Sequence, residues 1–186
     1  MAASKPKAKM QLPGDVSEAT QHVQAIRVNH AGEYGARRIY AGQLAVLKGS
    51  KHEKTIRHMA EQEEVHLAYF DKAMAEQKIR PTALMPVWHV LGYVLGAGTA
   101  LLGEKAAMAC TVAVEEVIDE HYREQLEALP EKEKALKAKI KQFRDEELEH
   151  RDIGIANDAY AAPGYPVLSA AIKTGSRLAI WLSKKI

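Results

Sequence analysis

The sequence predicts an all-α protein: a four-helix bundle with an additional apolar helical segment and a C-terminal amphipathic helix. Three observations point that way. Apolar residues recur in steps of three and four along each long segment, and no strand-like alternation occurs. Alanine and leucine are abundant, aromatic residues make up only 6%, and proline is sparse inside the periodic stretches. Two Glu-x-x-His pairs stand at matched places, each following a lone inward-facing glutamate: Glu33, Glu63-x-x-His66, Glu115, Glu147-x-x-His150. Glu33 precedes Glu63 by 30 residues and Glu115 precedes Glu147 by 32, so the pattern is an internal duplication.

The elements follow in order. A first helix is expected from about Asp15 to Lys48, capped by Asp15 or Ser17 and ended by Gly49-Ser50. Its seam reads Ile26, His30, Glu33, Arg37, Tyr40, Leu44, Leu47. A second runs from about Lys51 to Gln77 with the seam Ile56, Met59, Glu63, His66, Phe70, Ala73. Residues 81–103 carry no Asp, Glu, Lys or Arg and form the apolar segment. A further helix is expected from about Glu104 to Leu129, and another from about Glu131 to Asp158 with the seam Leu136, Ile140, Phe143, Glu147, His150. Ala162-Pro163-Gly164-Tyr165-Pro166 reads as a turn, and a last helix, basic at its end, runs from about Val167 to Lys184. Residues 15–186 make one domain of ordinary size, and residues 1–14, rich in Lys, Pro and Ala, are expected to be disordered.

Adjacent acids at three of the ligand positions are separated by helical faces. Residues three, four and seven apart share a face. Glu63 shares one with Ile56, Met59, His66, Leu67 and Phe70, whereas Glu64 shares a wetter one with Arg57, Glu61, Leu67, Ala68 and Asp71. Glu115 lines up with Met108, Thr111, Val112, Ile118 and Tyr122, while Glu116 joins Ala109, Val112, Asp119, Glu120 and Arg123. Glu147 continues Ile140, Phe143 and His150, while Glu146 joins Lys139, Gln142 and Glu149. Four carboxylates therefore occupy slots that the pattern assigns to apolar residues. Burying one unpaired carboxylate costs several kcal/mol, and four would exhaust a typical stability of about 5–15 kcal/mol. Two divalent cations supply the opposing charge. Carboxylates plus imidazoles suit iron or manganese, and helix bundles build dinuclear sites from this ligand set. His30 and Tyr122 are candidates to support the ligands from behind, although ordinary packing accounts for each. Asp119, Glu120 and His121 are expected on or near the solvated face, with Asp119 and His121 also placed to orient ligands.

The apolar segment is about as long as the ~20 residues that cross a bilayer. Pro86 and four glycines weaken it as a helix, and a crossing would put the two ligand halves on opposite sides of the membrane. Exposure to one leaflet or to a partner is expected, with Leu84, Trp88, Leu91, Leu95 and Leu101 facing lipid or substrate; a buried core helix is the alternative. The last helix mixes Leu168, Ile172, Leu178, Trp181 and Leu182 with Lys173, Arg177, Lys184 and Lys185, a composition suited to anionic lipid, though such a helix also serves as a packing element.

Four stretches carry a family resemblance: VNHAGEYGA at 28–36, RPTALMPVWHVLGYVLGAGTALLG at 80–103, ACTVAVEE at 109–116 and FRDEELEHRDIG at 143–154. In these the chain resembles the demethoxyubiquinone hydroxylase family of ubiquinone biosynthesis, and the likeness runs from Ile26 to the C-terminus. The resemblance implies a ferritin-like di-iron fold, with Glu33, Glu63, His66, Glu115, Glu147 and His150 as iron ligands. It implies a monooxygenase that hydroxylates the quinone ring, with two iron ions per chain, O₂ as co-substrate and electrons from NADH directly or through a reductase. It further implies a polyprenylated quinone substrate, contact with membrane lipid, and a lipid-binding helper protein or a homo-oligomer as partner. The expected location is the cytoplasmic side of the cell inner membrane, held peripherally.

Composition bounds the alternatives. A formal net charge of +2 shows no nucleic-acid footprint. A single cysteine, Cys110, excludes an internal disulfide and a Cys-based zinc or iron–sulfur site. No Gly-x-Gly-x-x-Gly fingerprint marks a nucleotide domain. The same six ligands would also serve an iron oxidase or peroxide scavenger without organic substrate, or persist unused in a helical lipid-binding scaffold.

Overall fold

The computed structural model describes residues 16–186, so the expected disorder of residues 1–14 and the capping role of Asp15 lie outside it. Six helices account for most of the described chain: α1 (Glu18–Val46), α2 (Glu53–Gln77), α3 (Met85–Leu101), α4 (Glu104–Ala128), α5 (Lys134–Ala156) and α6 (Tyr165–Lys185). No strand occurs among the described residues. The architecture is an all-α bundle of the ferritin-like kind. α1 pairs with α2 and α4 with α5, while α3 lies across α1 and α6 across α4 on the outside of the bundle.

Local chemistry sets the ends. The Ser17 hydroxyl accepts the Thr20 amide hydrogen at 3.1 Å and caps α1. α2 stops where Lys78 turns left-handed at φ 54°. It starts at Glu53, two residues later than the sequence suggests, because the Ser50–His52 stretch closes a turn first. After Pro130 the chain makes a 3₁₀ turn over Glu131–Glu133 before the α-helix proper begins at Lys134. α5 ends at Ala156 because Asp158 sits at φ 64°. α6 begins at Tyr165 because Gly164 turns at φ 67° and Pro166 fits within a first turn.

The apolar segment is helical over Met85–Leu101 despite its glycines, and two of them explain how it is held. A Cβ on Gly96 would lie 1.9 Å from the Ile39 carbonyl oxygen, and one on Gly92 would lie 2.9 Å from that of Gly35. From the other side, a Cβ on Gly42 would lie 2.2 Å from the Tyr93 carbonyl oxygen. α1 and α3 therefore touch backbone to backbone, a contact only glycine permits. The opposite side of α3 is bare: Val90, Leu91, Val94, Leu101 and Leu102 are each more than half exposed, while Leu84, Trp88 and Leu95 are partly covered. No helix of the described residues is long and apolar enough to cross a membrane.

α6 departs from a freely basic surface helix. Ile172 is buried, Lys173 pairs with Glu116, and the Arg177 guanidinium lies 2.9 Å from Glu120 of α4. These two cations bind the helix to the bundle, while Leu178 and Trp181 stay exposed.

The core has two apolar parts. One holds Ile26, Phe70, Tyr122, Ile140 and Phe143; the other holds Tyr40, Ile56, Met59, Met108 and Val112. On each of α1, α2, α4 and α5 the predicted ligand positions fall between these two parts.

Candidate dinuclear metal centre

All six predicted ligands are buried and converge from four helices. Glu33 comes from α1, Glu63 and His66 from α2, Glu115 from α4, and Glu147 and His150 from α5. They form two overlapping groups. Glu33, Glu63, His66 and Glu147 offer ligand atoms within 4.8 Å of one another, and so do Glu63, Glu115, Glu147 and His150. Glu63 and Glu147 belong to both groups, Glu33 and Glu115 to one each.

The polar atoms are aimed inward without partners. Both carboxylate oxygens of Glu63, Oε2 of Glu147 and the Nδ1 atoms of His66 and His150 are buried and make no hydrogen bond. His66 Nδ1 lies 3.0 Å from Glu147 Oε1 and His150 Nδ1 lies 3.1 Å from Glu147 Oε2, but neither approach has hydrogen-bond geometry. Orphaned buried polar atoms are costly, and five directed at one spot are what a metal centre needs. The donor set is oxygen and imidazole nitrogen, which fits iron or manganese.

The charges are strongly coupled. Burial, and then the Glu147 carboxylate, push Glu63 and Glu115 well above the usual carboxylate range. Burial alone would raise Glu147 too, yet the imidazoles of His150 and His66 hold it down to about 2. Burial would lower His66, but Glu147 and Glu33 push it up to about 12. Four facing carboxylates thus need positive charge, as protons or as cations.

The rims of the site are tied crosswise. Tyr122 of α4 donates its hydroxyl to Glu33 of α1. Tyr40 of α1 donates to Glu115 of α4 at 3.0 Å. Sequence reasoning placed Tyr40 in the seam without a role. The signal was present: Tyr40 follows Glu33 by seven residues, as Tyr122 follows Glu115. Two more residues were missed. Glu146 accepts from His66 Nε2 at 2.5 Å and Gln62 accepts from His150 Nε2 at 2.9 Å. Each sits just before a predicted ligand glutamate, and the helical pattern marks the face of Glu146 as the wetter one.

Other candidates stand elsewhere. His30 is buried and its Nε2 lies 2.9 Å from Asp71; it makes no hydrogen bond to the ligand cluster among the described residues. Asp119 accepts from Arg144 Nε at 2.6 Å. Arg37, which the seam would bury, reaches Glu64 at 3.4 Å. His121 is buried rather than on the solvated face: it meets Gln125 at 2.5 Å, and Gln125 in turn exchanges hydrogen bonds with Asn29. Burial, with the charge of Lys184, pulls His121 down to about 3.

Beside the cluster, along α1 and α4, runs a groove of about 510 Å³. α3 and α6 form its other walls. Its lining is uncharged: Val28, Gly32, Gly35, Ala36 and Ile39 of α1; Trp88, Leu91 and Leu95 of α3; Val114 and Ile118 of α4; Ile172, Gly175 and Ser183 of α6, among others. Trp88 Nε1 donates to the Ser183 hydroxyl at 3.1 Å and ties α3 to α6. Gly32 and Val114 are the chain neighbours of Glu33 and Glu115, about 100° round each helix from them, so the groove runs alongside the cluster on the same two helices.

The class defined is an all-α bundle whose buried Glu₄His₂ cluster could hold metal ions, with an uncharged groove beside it. Comparison with known proteins gives the family. The chain matches the family described as Ubiquinone biosynthesis protein COQ7 over residues 20–183, and it belongs to that family. It is 58% identical over 186 residues to a 3-demethoxyubiquinol 3-hydroxylase of Rhodospirillum rubrum, covering 100% of this chain and 88% of that protein. It is 56% identical over 165 residues to the human NADPH-dependent 3-demethoxyubiquinone 3-hydroxylase, mitochondrial, covering 87% of this chain and 76% of the relative. The 5-demethoxyubiquinone hydroxylase, mitochondrial, of Saccharomyces cerevisiae is 43% identical over 180 residues, with 88% and 77% covered. The resemblance read from the four sequence stretches and the family match agree, and the chain is a hydroxylating oxidoreductase of this family.

Proposed function

We propose that this protein is a di-iron monooxygenase that hydroxylates the ring of demethoxyubiquinone at a membrane surface, with O₂ as co-substrate. The observation that carries the reading is the pair of overlapping ligand groups sharing Glu63 and Glu147, with five inward-facing polar atoms that have no other partner. Glu33, Glu63, His66 and Glu147 would hold one iron, and Glu115, Glu63, Glu147 and His150 the other. When bound, the two ions supply the redox chemistry that activates dioxygen.

The chain's own residues do the rest. Tyr40 and Tyr122 fix the outer glutamates by hydrogen bonds, so each carboxylate presents its oxygens in a set direction. Phe70 and Phe143 on one side, and Met59 and Met108 on the other, keep water from the cluster. The groove suits the polyprenyl tail, because its lining carries no charge and its volume falls in the range of ligand sites. The bare face of α3 and Trp181 of α6 suit contact with the bilayer that dissolves such a substrate. For the electron donor, a reduced nicotinamide nucleotide fits the wording of the human relative's name, which specifies NADPH where the resemblance implied NADH.

Single-turnover product analysis tests the reading. Iron-loaded protein is reduced without air, given demethoxyquinone and exposed once to O₂. Hydroxylated quinone is expected. Rapid oxidation of added iron with no quinone product would replace this function with that of an iron oxidase.

A further inference from the structure

The duplication reaches beyond the ligands, and at one place it is broken. Glu33 and Tyr40 in α1 correspond to Glu115 and Tyr122 in α4, and each tyrosine hydrogen-bonds the other half's glutamate. Glu63 and His66 in α2 correspond to Glu147 and His150 in α5. The residues just before the two ligand glutamates also correspond, and they too reach across: Gln62 to His150, Glu146 to His66. Four of these five pairs are chemically identical. The fifth is an amide in one half and a carboxylate in the other.

The difference bears on the metal positions. Both imidazoles turn Nδ1 toward the carboxylates, so Nε2 carries the proton and donates outward. A carboxylate acceptor draws that proton more strongly than a neutral amide and raises electron density on Nδ1, making the ring a better ligand. The separations run the same way, 2.5 Å to Glu146 and 2.9 Å to Gln62. The Glu146 carboxylate is itself steadied by Gln142, whose Nε2 donates to its other oxygen at 2.9 Å.

We infer that Gln62 and Glu146 are positioning residues that make the two metal positions unequal, the one beside His66 binding a divalent cation more tightly than the one beside His150. This rests on the reading of the cluster as a dinuclear centre. It gives the site an order of filling and two ions of different electron demand, from a protein scaffold that is otherwise repeated.

The test uses the metal-free full chain titrated with cobalt(II). Ligand-field absorbance follows the two binding steps, and the paramagnetically shifted ring N–H signals of His66 and His150 report which position fills. The wild-type protein should take up two ions in two separated steps, with the His66 signal shifting first. Glu146→Gln should weaken the tighter step about 10- to 100-fold and close the gap. Gln62→Glu should strengthen the weaker step and also narrow it. The double exchange, Glu146→Gln with Gln62→Glu, should restore the gap with the filling order reversed, which a loss of packing could not do. Two ions binding with the same gap in all four proteins would overturn the inference while leaving the dinuclear centre intact. A wild-type protein that takes up no cobalt would overturn both.

Discussion

α1 and α4 each have two buried sides, and the two sides obey opposite rules. The inner side carries Glu33 and Glu115 into a cluster of four carboxylates and two imidazoles. The outer side carries Gly32 and Val114, each one residue away in sequence, and Ala36 into a groove with no charge at all. A helix facing solvent would separate apolar from polar residues. These helices instead separate charge from void: the inner side concentrates carboxylates and the outer side withholds side chains to leave room.

The comparison can be broken from either side. The largest effect is expected inside. Glu63→Ala or Glu147→Ala removes a residue shared by both ligand groups, so metal analysis should find both ions lost and product analysis no hydroxylation. On the outside, Gly96→Ala would place a Cβ 1.9 Å from the Ile39 carbonyl oxygen and force α3 off α1. A loss of at least about 1–3 kcal/mol is expected from such overpacking, read as a lower denaturation midpoint.

His121 tests how strictly the surroundings of the cluster exclude further charge. Burial and Lys184 hold it near 3 in the folded protein, against about 6.5 for an unperturbed histidine. Below that value the unfolded chain takes a proton that the folded one refuses, so stability falls as pH drops from about 6.5 toward 3. The slope reaches at most about 1.4 kcal/mol per pH unit. His121→Asn keeps a polar partner for Gln125 and should show a shallower acid loss than wild type in thermal melts across that range.

The groove should respond to filling. A Cβ on Gly175 meets nothing within 4 Å, so Gly175→Leu can enter the groove without displacing backbone. Activity toward a long-tailed quinone should drop about tenfold, with little change for a short-tailed one and no loss of stability. Steady-state kinetics with both substrates decides it; equal losses would place the tail elsewhere. The smallest effect is expected at Glu64→Ala, an exposed carboxylate 3.4 Å from Arg37, which should change stability by no more than about 0.5 kcal/mol and leave metal content intact.

The inner side was legible in the sequence and the outer side was not, for a physical reason. A glutamate in an apolar seam violates the helical pattern, so Glu33, Glu63, Glu115 and Glu147 announce themselves. The seams of α2 and α5 also fixed His66 and His150. Glycines and alanines violate nothing: Gly32, Gly35, Ala36 and Gly175 read as ordinary helix residues, and only the packing of α3 and α6 shows that they border a space. Gly92 and Gly96 suggested a weak helix, whereas they are the reason α3 can lie so close to α1. Gln62 and Glu146 escaped because helical periodicity assigns each residue to one face, and a long side chain at the edge of a face can still reach inward. His121 was misjudged in the same manner, since α6 covers a surface that a four-helix bundle alone would leave wet.

The two outer helices are fastened differently. α3 meets α1 main chain to main chain at Gly42, Gly92 and Gly96, a contact that Tyr34 and Arg38 of α1 reinforce by hydrogen bonds to His89. α6 is fastened by side chains: Trp88 to Ser183, Lys173 to Glu116 and Arg177 to Glu120. If a long isoprenoid has to slip in sideways, the door is α6 and the jamb is α3. Amide hydrogens of α6 should therefore trade with deuterated water sooner than those of α3, and a quinone homologue should slow them.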